Sequence, residues 1–284
     1  MIFVLLLHAQ WGLAQFVTQD DLGLYLIGET RLDAAKSGIA KFTLDQNKMI
    51  RAYGPFPHPN SFGGGLSLGL LAYATWLFGM KKKTLLRDGI ANIVLVFLLL
   101  GIIVSFSRST YLSAGFTMLI FFALTIKRMN WHWLILLMTM VLVFSPLLIA
   151  RVNDVEDAAV SERLVGARWA LALIDWRGIG VGEYKVALQK YLDAHGVHYE
   201  PWQIDYVHNV PILIAVESGL AVIMLLAGGL LLLLKMFYAD RWWWLLPLLP
   251  LILFDHYMVT QLAPMASMLV WLVLLRAMPT RVVH

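Results

Sequence analysis

The sequence predicts an all-α protein: a polytopic transmembrane helical bundle with one large extracytoplasmic loop. Three observations lead there. Hydrophobic residues fill 60% of the 284 positions and charged residues only 14%, against roughly 25% charged in a soluble domain. The mean hydropathy is +0.73, and the apolar residues gather into runs of membrane length. One polar stretch, Arg151 to Val207, stands between such runs and is expected outside. Residues 1–284 are expected to form a single membrane domain of about eight apolar spans.

In chain order, residues 1–16 are apolar, with no basic leading region and no small-residue cleavage site. They read as a span that has lost its beginning, and a signal peptide fits poorly. Thr18 to Ile50 carries Asp20-Asp21, Glu29-Thr30-Arg31 and Asp45-Gln46-Asn47, and is expected as an outside loop with some amphipathic helix. Spans follow at about 60–79, 89–106, 109–126, 131–150, 209–236, 242–254 and 262–276. The runs 242–254 and 262–276 are shorter than the ~20 residues of a perpendicular helix and would borrow polar flanks. With Lys81-Lys82-Lys83 inside, alternation also puts Lys127-Arg128, Lys235 to Arg241, Arg276 and Arg281 inside, as the positive-inside bias requires. The opposite face then gathers Arg51 to Asn60, Ser107-Arg108-Ser109, the large loop and Asp255-His256-Tyr257.

The net charge of +4 needs no nucleic-acid partner, because the basic clusters lie at span ends as cytoplasmic anchors. The absence of cysteine removes thiol nucleophiles, disulfides and thiolate metal sites. No repeat of fixed period and no low-complexity tract is visible. Ionisable groups at membrane depth are costly and persist mainly where they work, so the junction at His208-Asn209 is the leading active-site candidate. His58 and His256 invite a metal hypothesis with His208, but no His-x-x-x-His or paired-carboxylate spacing supports it; no metal and no cofactor are expected. Gly178, Gly180 and Gly182 lack the register of a nucleotide loop and suit a packing turn.

The motifs fall in a recognisable order: Arg51-Ala52-Tyr53-Gly54 with His58-Pro59-Asn60, Ser107-Arg108-Ser109, Ser161-Glu162-Arg163, Gly178 to Tyr184, His208-Asn209, and Glu217-Ser218-Gly219. In that order the chain resembles the O-antigen ligase and polymerase superfamily of bacterial membrane glycan transferases, over about residues 11–276. Members usually carry more spans, the shortfall here being N-terminal. Trp176-Arg177 stands where the family often has a proline and an apolar residue.

The resemblance implies a multi-pass protein of the bacterial inner membrane with its active face outside, acting in cell-surface polysaccharide assembly. Its partners would be a polyprenyl diphosphate-linked glycan, an acceptor glycan or glycolipid, and membrane lipids. Diphosphate is a good leaving group, so the protein must supply mainly a base and cations. His208 suits the base. With Asn209 as N-cap and Pro211 in the first turn, it stands beside the positive end of a helix, which favours neutral imidazole. An interfacial histidine bonded to a carbonyl is the plainer reading.

Arg108 and Arg163 suit the diphosphate, because a guanidinium meets phosphate oxygens in pairs. Snorkelling would also explain Arg108, and pairing with Asp154 to Asp157 would explain Arg163. Arg51 is a third substrate-binding candidate that also suits the turn to His58-Pro59-Asn60. Glu217 falls opposite His208 on a helical wheel and reads as a structural, helix-orienting group. A polymerase of the same superfamily is the nearest alternative. A non-enzymatic lipid-glycan transporter is the other, but it predicts ionisable groups along a path to both faces, and spans 89–106, 109–126 and 131–150 are almost free of charge.

Overall fold

The computed structural model describes residues 2–36, 38–44, 47–79, 85–125, 159–200, 203–237 and 242–277, with 139, 142–143, 145–147 and 149. The expected span 131–150, the Lys81 cluster and the start of the large loop lie largely outside these. The structure is mostly helical. Its described residues fall into two compact units, the first holding Met1–Val155, Trp243–Pro247 and Ala263–His284, the second Glu156–Trp242 and Leu248–Leu262.

The first unit is built on α1 (Ile2–Thr18), α2 (Pro59–Gly79), α3 (Leu85–Val104) and α4 (Arg108–Thr125). Three of these helices start and stop within a few residues of the hydropathy limits, because an apolar run ends where a polar or turn-forming residue ends it. Helix α2 is central. Phe62, Leu66, Leu70 and Tyr73 are buried against Ala9, Leu98, Ile102 and Ala114. Small residues permit that closeness: a Cβ on Gly63 would stand 2.5 Å from Ser105 Oγ, and one on Gly69 2.5 Å from Leu5.

Between α1 and α2 the expected amphipathic helix is replaced by a short 3-10 turn, Tyr25–Ile27, and an antiparallel hairpin of β1 (Lys41–Leu44) and β2 (Asn47–Ile50). Its register pairs Lys41 with Ile50 and Phe42 with Met49. The cause is a period of two, polar and apolar alternating along Lys41-Phe42-Thr43-Leu44, which buries Phe42. Glu29 ties this segment to α1, its Oε1 accepting from Trp11 Nε1 at 2.8 Å, Gln15 Nε2 at 2.7 Å and Leu22 N at 3.0 Å, and its Oε2 from Leu24 N at 2.6 Å.

The second unit contains α5 (Ala159–Ala172), α6 (Tyr184–Ala194), α7 (Val210–Phe237), α8 (Leu248–Phe254) and α9 (Tyr257–Thr260). Helix α10 (Leu262–Ala277) lies almost wholly in the first. The run at 242–254 is not one helix. A 3-10 turn, Trp242–Leu245, precedes the seven residues of α8, and Pro247 and Pro250 suit so broken a course.

Helix α7 also differs from the single span expected at 209–236. It breaks at Gly219, where φ is 85° and ψ 163°, a conformation essentially closed to side chains. The loop from Asp175 to Gly180 fills the break with its backbone. Ile179 N donates to Val216 O at 3.0 Å and Gly180 N to Glu217 O at 2.9 Å, while Leu220 N donates to Asp175 O at 3.3 Å. These bonds satisfy carbonyls that end the first half and an amide that begins the second. Two backbones can approach so closely only because both contact positions are glycine: a Cβ on Gly219 would stand 2.3 Å from Trp176 O, and one on Gly178 2.5 Å from Glu217 O.

The halves differ in surroundings. The first, through Leu213 and Val216, joins a core with Ala170, Tyr184, Leu188 and Leu192. The second leaves Leu225 75% and Leu231 67% exposed. Among the described residues two helical stretches are long and apolar enough to cross a membrane, Pro59–Phe78 and Val210–Leu232, by length and composition.

Candidate active site

His208 is placed by the residues around it. Ile204 and Val207 are buried in the core of the second unit and pin the approach to α7, leaving Tyr206 and His208 half-buried and Asp205 exposed. Asn209 caps the helix: its Oδ1 accepts from Ile212 N at 2.9 Å. Its Nδ2 donates to Leu253 O at 3.0 Å, on one of the last carbonyls of α8. The same side chain thus starts α7 and ties it to the end of α8, just before His256.

Four charged or titratable side chains from separate elements gather at His208 and its neighbours. Arg163 comes from α5, Lys185 from α6, Asp205 from the preceding loop and His256 from the α8–α9 junction. The rings of His208 and His256 meet edge to face, 5.1 Å between centroids. His256 Nε2 lies 3.9 Å from Asp205 Oδ1, and Lys185 Nζ 3.6 Å from the same oxygen. On its other side His256 Nδ1 pairs with Thr260 Oγ1 at 2.8 Å. Tyr206 packs between these groups, its ring 5.4 Å from that of His256 and 5.8 Å from that of Tyr184, with Lys185 Nζ 4.9 Å over its face. Tyr184 is fully buried, which pushes its phenol up, with Asp205 adding to the shift.

The electrostatics favour a neutral base. Burial holds His208 down at about 4, with Arg163 and His256 adding to the fall and Asp205 opposing it. Burial also lowers His256, against the pull of Asp205. For Asp205, desolvation by the surrounding protein works upward, but His256, the Tyr206 amide, His208 and Lys185 together hold it below its ordinary value. At neutral pH the site therefore has two neutral imidazoles, one carboxylate and two fixed cations.

That set can do two things. The ligand atoms of Asp205, His208 and His256 lie within 4.8 Å of one another, close enough for a divalent ion to draw together. The guanidinium of Arg163 and the ammonium of Lys185 oppose an added dication and suit an anion beside an imidazole that can accept a proton.

Of the sequence-based candidates, His208, Asn209 and Arg163 come together here. Arg51 and Arg108 belong to the first unit. Arg51 is buried, with Nε donating to Ser105 O at 2.8 Å and Nη2 to Asn60 Oδ1 at 2.6 Å, so its guanidinium braces the turn ahead of α2. His58, also in that unit, accepts from Asn60 N at 3.1 Å through Nδ1. Arg108 opens α4. Glu217 sits at the break of α7, where its backbone oxygen takes the Gly180 amide and its Oε1 is buried without a hydrogen-bond partner among the described residues. Sequence reasoning missed Asp205, Lys185 and Thr260. Only Asp205, three residues before His208, had a local signal.

Residues 93–227 match the family model described as O-antigen ligase. The match spans a little under half of the chain and supports the O-antigen ligase superfamily as what this chain is similar to. Comparison with curated proteins and with solved structures finds no match. The O-antigen ligase match contains Arg108, Arg163, Asp205, His208, Asn209 and Glu217, and stops short of His256. The match supports a part in polysaccharide assembly and an association with the membrane.

Proposed function

We propose that the chain transfers a glycan from a polyprenyl diphosphate carrier to the hydroxyl of an acceptor glycan or glycolipid, with His208 as the base. The acceptor O–H gives its proton to His208 as its oxygen bonds to the anomeric carbon, and the carbon–oxygen bond to diphosphate breaks with its electron pair on the phosphate. Arg163 meets the charge that develops there. The exposed apolar half of α7 lies in the lipid of the bacterial inner membrane, in a multi-pass chain whose site opens on the outer face.

One observation carries this reading: inside the O-antigen ligase match, a half-buried imidazole is held neutral at the capped start of a helix, beside an arginine. The test is His208→Ala, assayed with lipid-linked glycan and acceptor both saturating. A positioned base contributes about 100- to 10,000-fold, so turnover falls by about two orders of magnitude or more while donor binding survives. Undiminished turnover in a folded variant would place the base elsewhere.

A further inference from the structure

The reading of His208 as base leaves a chemical problem. An imidazole surrounded by Arg163 and by a second imidazole takes up a proton reluctantly, and once protonated it stands in a partly buried site beside fixed positive charge. A working base in that place needs a counter-charge for its imidazolium. Among the described residues Asp205 is the one carboxylate in the site's ring of charged groups, and it is not left to drift. Its Oδ1 accepts the Tyr206 amide at 2.8 Å and faces His256 Nε2 at 3.9 Å and Lys185 Nζ at 3.6 Å.

His256 is itself fixed, its ring 86% covered and its Nδ1 paired with Thr260 Oγ1 at 2.8 Å. The Thr260 hydroxyl also donates to His256 O at 3.1 Å. When it does, Nδ1 must be the donor to Thr260, so the bare nitrogen Nε2 faces the carboxylate. When it turns to Nδ1 instead, Nε2 carries the proton towards Asp205. Thr260 thus allows His256 either tautomer without moving the ring.

We propose that Asp205 and His256 are positioning residues that act on His208 from opposite sides, the carboxylate balancing the charge on His208 as it takes the acceptor's proton and His256, its tautomer set against Thr260, opposing that charge so that the proton can leave again. This rests on His208 being the base and adds the groups that make it an effective one. The proton ends on His208 and leaves to water after polyprenyl diphosphate has gone. The groups acting on His208 are Arg163 of α5, Asp205 of the approach loop and His256 of the α8–α9 junction, while Lys185 of α6 acts on Asp205 and His256 and Tyr206 packs on His256. Of these, Asp205 alone raises the proton affinity of His208.

The experiment is a pH titration of His208 by NMR in the whole chain with labelled histidine, in detergent and without substrate, alongside pH profiles of transfer. It compares wild type, Asp205→Asn and His256→Gln. Asp205→Asn should move the His208 titration and the acid limb of kcat/KM to lower pH together, with kcat down about tenfold or more and donor KM unchanged. His256→Gln should move the titration to higher pH, since His256 opposes protonation of its neighbour. Shifts of opposite sign from two neighbouring substitutions are not expected of scaffold residues.

Titrations that superimpose on wild type in both variants would overturn the proposal, as would a raised donor KM at unchanged kcat. Loss of transfer in chelator with recovery on adding zinc or manganese would overturn it too, by making the three side chains a metal centre. If His208→Ala stays active, the base assignment itself fails. If His208→Ala is inactive and Asp205→Asn titrates as wild type, only the present proposal fails.

Discussion

The break in α7 can be tested by Gly219→Ala. A side chain at φ 85° and ψ 163° stands in a region essentially confined to glycine, at a cost of about 1–3 kcal/mol. The added methyl would meet Trp176 O at 2.3 Å and the backbone of Arg177 and Gly178 at 2.7 Å. None of these is a side chain that can swing away. Relief requires the 175–180 loop to withdraw, breaking the bonds from Ile179, Gly180 and Leu220. At a net value of about 1 kcal/mol each, that adds up to about 3 kcal/mol.

The expected loss is therefore about 4–6 kcal/mol, a large part of the 5–15 kcal/mol typical of a domain. Denaturant unfolding of the protein in detergent micelles, followed by tryptophan fluorescence, measures it. Gly229→Ala is the control, because nothing lies within 4 Å of the added carbon and alanine is the better helix former by about 1 kcal/mol. A Gly219→Ala protein less than about 1 kcal/mol below wild type, or level with Gly229→Ala, would refute the backbone insertion.

Three further outcomes are expected. Arg163→Lys loses most transfer activity at unchanged expression, since an ammonium cannot reproduce the bidentate fork; full activity would remove the diphosphate role. Glu29→Gln lowers the unfolding midpoint at pH 7 by replacing four charge-assisted bonds with weaker ones, worth roughly 2 kcal/mol or more. Burial works against the Glu29 charge, but the amide and side-chain donors outweigh it and its carboxyl titrates below the ordinary 4.5. The stability it contributes is thus present above pH 4.5 and lost as the pH falls through the lowered value, and the gap between wild type and variant closes there. In intact cells an impermeant thiol reagent should label Gly196→Cys and spare Lys82→Cys; the reverse pattern would invert the proposed topology.

By itself the sequence determined the helical, apolar character of the chain, the limits of α2, α3 and α4, the cap at Asn209, and His208 as the residue to test. These are properties of neighbouring residues: the length of an apolar run, a capping side chain before a helix, an ionisable group beside a hydrophobic span. Family motif order added Arg163 and Arg108 through resemblance. The hairpin at Lys41–Ile50 was within reach, since its alternation is local, but the charges of that segment hid it.

Only the tertiary structure decided that α7 is two half-helices and that Asp205, Lys185 and His256 stand around His208. The physical reason is the same in both cases. Hydropathy sees 209–236 as one apolar run because the break is made by amides of a loop some forty residues earlier in the chain, and Gly219 alone does not announce them. The site likewise depends on α5, α6 and the α8–α9 junction packing on the start of α7, so its protonation is set by charges whose distances no linear spacing contains.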